Sequence, residues 1–134
     1  MLNALLPLTP QTARGYSPLA LAFVGDSIYE AFIRTKLLLA ANQSAAKLHR
    51  AGAQALAMQA LLPLLTEEEA DIYKRGRNAH SHTVPKNADV TEYRAATGFE
   101  ALVGYLYLSG QTDRLTHVME QAYDVIHAAR TAGL

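Results

Sequence analysis

Cysteine is absent from these 134 residues. That excludes disulfides and thiolate metal sites, and it suits a cytoplasmic protein in a reducing compartment. Net charge is absent as well: twelve Lys and Arg balance twelve Asp and Glu. A neutral chain is poorly suited to binding nucleic acid non-specifically over its whole surface, though a local basic patch remains open to it. Only 18% of residues are charged, which argues against disorder and leaves apolar surface for a partner to cover. The opening MLNALLPLTPQTARGY has neither a basic leader nor a long apolar run, so no signal peptide is expected. No stretch reaches the run of about 18 apolar residues that a membrane span needs. Half the residues are hydrophobic. A single domain over 1–134 is expected, with its core at about residues 17–131, burying roughly two-thirds of the unfolded surface.

The patterning is helical throughout, so the expected fold class is all-α. Ser17-Pro18 is a helix start, a capping side chain followed by proline at the first helical position. The helix from about Pro18 to Ala40 is apolar on most sides, which suits the centre of a core or a subunit interface. Ser44 can cap a second helix that Pro63 ends near Leu62. Thr66 and Glu69 form a capping box, and Glu67, Glu68 and Glu69 favour the positive helix end. That helix is expected to end near Gly76, with a polar loop over 77–90. The next helix runs from about Thr91 to Leu108 and stops at Ser109-Gly110. Thr112 is the expected cap of the last, which reaches about Thr131.

Two acids stand out in this frame. Asp26 lies within LALAFVGDSIYEAFI and Glu100 within ATGFEALVGYLYL. A buried carboxylate costs several kcal/mol unless a cation or metal compensates it. Neither acid has a basic residue at helical spacing, whereas Glu30 has Arg34 four residues on. Two such acids on separate apolar helices suggest a shared metal site. Spacing alone equally permits structural roles: an acid bonded to a helix terminus or facing water at Asp26, and helix packing at Glu100. Gly104, one turn beyond Glu100, allows close approach of a helix, a metal or a substrate.

The third feature is the loop KRGRNAHSHTVPKN. Lys74, Arg75, Arg77 and Lys86 are four of the twelve cationic residues within thirteen positions, and Asn78 and Asn87 add hydrogen-bonding groups. A basic loop on a neutral chain fits a local phosphate binder as well as a solvated charged loop. His80 and His82 lack a third nearby ligand and form a weak metal signal.

FVGDSIYE followed by FEALVGYLYL resembles the paired signature helices of the ribonuclease III catalytic domain. TEEEADIYKRGRNAHSHTVPKN and DVTEYRAATGFEAL resemble the Mini-III ribonucleases in particular, a branch without the double-stranded-RNA-binding domain. The resemblance covers about residues 18–126. It implies a ribonuclease III-type helical domain that cleaves double-stranded RNA with Mg2+. Asp26 then corresponds to the catalytic aspartate of the first signature helix, and Glu100 to the metal-binding glutamate of the second. Further implications are a homodimer built on the first signature helix, with Phe23, Ile28, Phe32 and Ile33 as core and interface candidates together, and backbone contacts from Arg75, Arg77, Asn78 and Lys86. Family function adds maturation of precursor large-subunit (23S) ribosomal RNA, with a ribosomal protein as a possible presenter of the stem. The four-acid set of full-length enzymes is incomplete: Ala22 stands four before Asp26 and Thr97 three before Glu100. Thr97 matches the Mini-III pattern. One ion, or a second held by RNA phosphates and water, is then expected. The competing readings are a non-catalytic RNA-binding dimer on the same scaffold and, more remotely, a purely structural helical dimer.

Overall fold

Short capping signals set where the helices begin. The Ala20 N–H donates to Ser17 Oγ at 3.1 Å and starts α2 (Pro18–Leu39). The same device, Thr9-Pro10, starts a short α1 (Pro10–Arg14), with the Thr12 N–H on Thr9 Oγ1 at 3.1 Å. The sequence reading missed that helix although the signal is the one it used eight residues later. The capping box of α4 (Glu67–Asn78) forms in both directions. Glu69 N–H reaches Thr66 Oγ1 at 3.1 Å, and Thr66 N–H reaches Glu69 Oε1 at 3.0 Å.

The computed structural model describes residues 8–39, 51–79 and 89–131. The remaining helices among them are α3 (Ala51–Leu61), followed by a 3-10 turn at Leu62–Leu64, then α5 (Val90–Leu108) and α6 (Thr112–Thr131). Every regular element among the described residues is helical, as the all-α reading requires. None of these helices is long and apolar enough to cross a membrane. The expected start at Ser44 and most of the 77–90 loop lie outside the described residues.

Three boundaries differ from expectation. α4 continues past Gly76 to Asn78. α5 begins at Val90 because Asp89 caps it, its carboxylate accepting from the Glu92 N–H at 3.0 Å. Thr112 is the first helical residue of α6 rather than its cap, since the Leu115 N–H bonds the Gln111 carbonyl at 2.9 Å.

The core is organised around α5. Its residues Phe99, Leu102, Val103 and Leu106 are fully buried, each worth roughly 2 kcal/mol of transfer free energy. Helices α2, α3, α4 and α6 all pack against it. α2, the helix read as apolar on most sides, is therefore not the centre. It buries Leu21, Ala22, Gly25, Tyr29 and Ile33 and leaves Phe23, Leu38 and Leu39 exposed. On the far side, Arg114 grips the buried Glu69 with two hydrogen bonds of 2.8 and 2.9 Å, tying the start of α6 to the start of α4.

Candidate active site

The site is made by a helix crossing. α2 and α5 meet so closely at Gly25 and Gly104 that a Cβ on Gly25 would run into the Glu100 carbonyl. One on Gly104 would run into the carbonyl of Leu21. Asp26 follows Gly25 directly, and Glu100 lies one turn before Gly104. The near-contact of the two backbones thus brings the carboxyls together, and Asp26 hydrogen-bonds Glu100. Both acids remain partly accessible to solvent.

The environment of this pair is hostile to two negative charges. Burial foremost, then the hydrogen bond and the charge of Asp26, push the Glu100 carboxyl up to about 9. Tyr29, one turn after Asp26, is fully buried with its ring edge-on to Phe99 at 4.9 Å. Burial, and then the charge of Glu100, raise its phenol well above the ordinary range. A third polar group was missed in the sequence. Gln54 on α3 is 2% exposed and its amide lies beside Glu100. The signal was available: a lone amide in AGAQALAM is as anomalous as an acid in LALAFVGDSI.

The donors fit a hard divalent cation. Both carboxyls offer oxygen, the ligand type that Mg2+ and related ions take. A cation between them would replace the proton that their repulsion otherwise retains. The set is small. Among the described residues no group of three or more His, Asp or Glu could hold a metal. The two positions where further acids were sought explain this. Ala22 is buried and has no ligating atom, and Thr97 Oγ1 is bonded back to the Tyr93 carbonyl at 3.0 Å.

The basic residues separate. Arg75 points to the start of the chain, donating to the carbonyls of Arg14 at 3.0 Å and Tyr16 at 3.5 Å. It clamps α4 to the α1–α2 junction, a structural task that the sequence did not announce. Arg77 lies over the Tyr73 ring at 5.7 Å, and its Nε reaches Asn78 Oδ1 at 3.4 Å. Arg77 and Asn78 line a cavity of about 570 Å³ between α3, α4 and α5, with Arg94 and Thr91 on its α5 wall. Lys86, His80 and His82 lie outside the described residues. Of the interface candidates, Phe23 is 80% exposed, whereas Ile28 and Phe32 are half-buried against the core. The Phe32 ring meets Tyr29 at 6.4 Å and Tyr123 at 6.3 Å.

Residues 19–111 match the model of the ribonuclease III domain. The chain is 52% identical over 116 residues to the Mini-ribonuclease 3 of Symbiobacterium thermophilum, covering 81% of this chain and 89% of that one. It is 54% identical over 110 residues to the Mini-ribonuclease 3 of Enterococcus faecalis, covering 75% and 83%. A crystal structure of a Fusobacterium nucleatum protein superposes with a TM-score of 0.71 at 33% identity, covering 79% of this chain and 87% of that one. A helical domain with an acid pair at its central crossing, and relatives of this closeness, place the chain in the ribonuclease III family, within its Mini-ribonuclease 3 branch.

Proposed function

We propose that this ribonuclease III-family endoribonuclease cuts double-stranded RNA at the Asp26–Glu100 pair, with Mg2+ as its ion. The observation that carries the reading is the convergence of two carboxyls on crossing helices, in a setting that disfavours their joint ionisation. Asp26 and Glu100 would hold the ion through their oxygens. Bound there, Mg2+ supplies charge neutralisation at the scissile phosphate and a more acidic water. The backbone contact at Gly25 and Gly104 fixes the spacing of the two acids, and the buried Tyr29 lies near enough to feel the charge of Glu100. Hydrolysis leaves a 5′ phosphate and a 3′ hydroxyl. With Ala22 and Thr97 contributing no carboxylate, one ion suffices, or a second is held by RNA phosphates and water.

The substrate is bound by shape and backbone. A-form RNA presents phosphates and 2′-hydroxyls across a wide minor groove. Arg77 and Asn78 supply the contacts from α4, joined by Lys86 of the same basic segment of sequence, while Arg75 is mostly engaged in the fold. With no excess positive charge on the chain, affinity is modest and salt-sensitive. A homodimer closing over Phe23 would let each site cut one strand, while Ile28 and Phe32 pack against the protomer's own core. The biological substrate is a stem of precursor large-subunit ribosomal RNA in the cytoplasm, with a ribosomal protein as a candidate presenter. Cleavage of a labelled duplex tests the chemistry, using wild type beside Asp26→Asn, with Mg2+ and with EDTA. Metal-dependent cutting lost in the variant supports it. Salt-sensitive binding without cutting by the wild type favours the non-catalytic RNA-binding dimer.

A further inference from the structure

Gln54 carries a cost that the fold does not repay. Among the described residues, its Nε2 is the one buried side-chain nitrogen or oxygen atom without a hydrogen-bond partner. A buried donor left unmade costs about 1–3 kcal/mol, so native chains rarely retain one without a use. Met or Leu would fill the same space on α3 without that cost. The neighbouring buried positions Ala57, Met58 and Leu61 are apolar. The amide nevertheless faces Glu100, the carboxyl that also hydrogen-bonds Asp26, and there it favours the ionised form that Asp26 opposes.

We infer that Gln54 is a positioning residue for the cation site: its amide donates to the Glu100 carboxylate once a divalent ion draws that carboxylate away from Asp26. The inference rests on the metal reading of the acid pair. Its physical basis is that a ligating carboxylate must be aimed, and the group that aims it is a hydrogen-bond donor on its other oxygen. Asp26 and Glu100 come from two helices that hold each other at Gly25 and Gly104. Gln54 comes from a third, α3, which also packs on α5. The amide therefore provides a fixed reference outside the crossing. The amide already favours the ionised form of Glu100 but makes no hydrogen bond of ordinary geometry, so the donor is placed and not yet fully engaged. Substrate need not reach it, because its target is Glu100 and its side chain is closed to solvent.

The test follows Mn2+ binding to the full chain without RNA, by the loss of the free-ion magnetic resonance signal, together with melting temperatures with and without Mg2+. For Gln54→Met, weakening of Mn2+ binding by roughly 10-fold or more is expected. Its ion-free melting temperature should equal or exceed that of the wild type, and Mg2+ should raise it less. A Gln54 that merely holds the fold gives the opposite pattern, a lower ion-free melting temperature with unchanged Mn2+ binding, and overturns the inference. Should the variant not fold, the wild type decides. Its Gln54 side-chain amide resonances must move on Mg2+ addition, and stationary resonances at saturating Mg2+ refute the role. A wild type that binds neither ion would sink the metal reading itself rather than the assignment of Gln54.

Discussion

Gly25 on α2 and Gly104 on α5 meet with no room for a methyl group on either one, and the obstacle in each case is a backbone carbonyl of the opposite helix. Backbone cannot rotate aside as a side chain can. Gly104→Ala gains about 1 kcal/mol of helix propensity, but forcing the helices apart costs more, typically 1–3 kcal/mol and occasionally beyond. A net loss of about 1–2 kcal/mol is expected in a denaturant melt. Cleavage should fall further than the residual folded fraction explains, because the same displacement separates Asp26 from Glu100. A variant as stable as wild type, with full activity, would show that the crossing does not set the site.

Arg75 and Arg77 are two positions apart and should behave differently. Arg75→Ala removes donors to the Arg14 and Tyr16 carbonyls, so its main effect should be a lower melting temperature. Arg77→Ala leaves the fold intact and should weaken duplex binding. Loss of one phosphate contact reduces the slope of log affinity against log salt by about 0.7–0.9. Filter binding at several salt concentrations, beside melts of both variants, separates the roles. An Arg77 variant with an unchanged slope would move the phosphate contact elsewhere.

Phe23 and Phe32 divide the apolar surface of α2. Phe23→Glu places a charge where the ring was 80% exposed, so the protomer should fold and the dimer dissociate. Phe32→Glu removes a half-buried ring from its contacts with Tyr29 and Tyr123, with Lys36 Nζ near enough to pair the new charge, and should lower the stability of the protomer. Sedimentation and melting of both variants read the difference. A dimeric Phe23→Glu protein would place the interface away from this face.

Acid stability should depend on Glu69. Burial opposes its ionisation. The Arg114 hydrogen bonds, the Thr66 N–H and the Arg114 charge outweigh that and hold the carboxyl below its ordinary value of 4.5. A depressed folded value means the unfolded chain binds the proton more readily. The stabilisation is therefore fully present above about pH 4.5 and is lost as pH falls through the folded value. Glu69→Gln keeps the capping geometry but lacks the charge. It should melt lower than wild type at pH 7, and the gap should close toward pH 3. A gap independent of pH would locate the contribution in packing instead.

The sequence by itself determined the local starts and the chemistry. Ser17, Thr66 and Asp89 carry their caps on their own side chains, and the i,i+4 pair Glu30–Arg34 forms at 2.7 Å as its spacing requires. Asp26 and Glu100 were conspicuous because an acid within an apolar helix needs a reason, and the Mini-III pattern around them named the family. Tertiary structure alone decided which helix is central, because α2 and α5 are both apolar and only packing chooses α5. It assigned Arg75 to carbonyls about 60 positions away in sequence. It set Gln54 beside Glu100 and separated Phe23 from Phe32. Each of these depends on contacts between distant segments, which periodicity and composition do not encode.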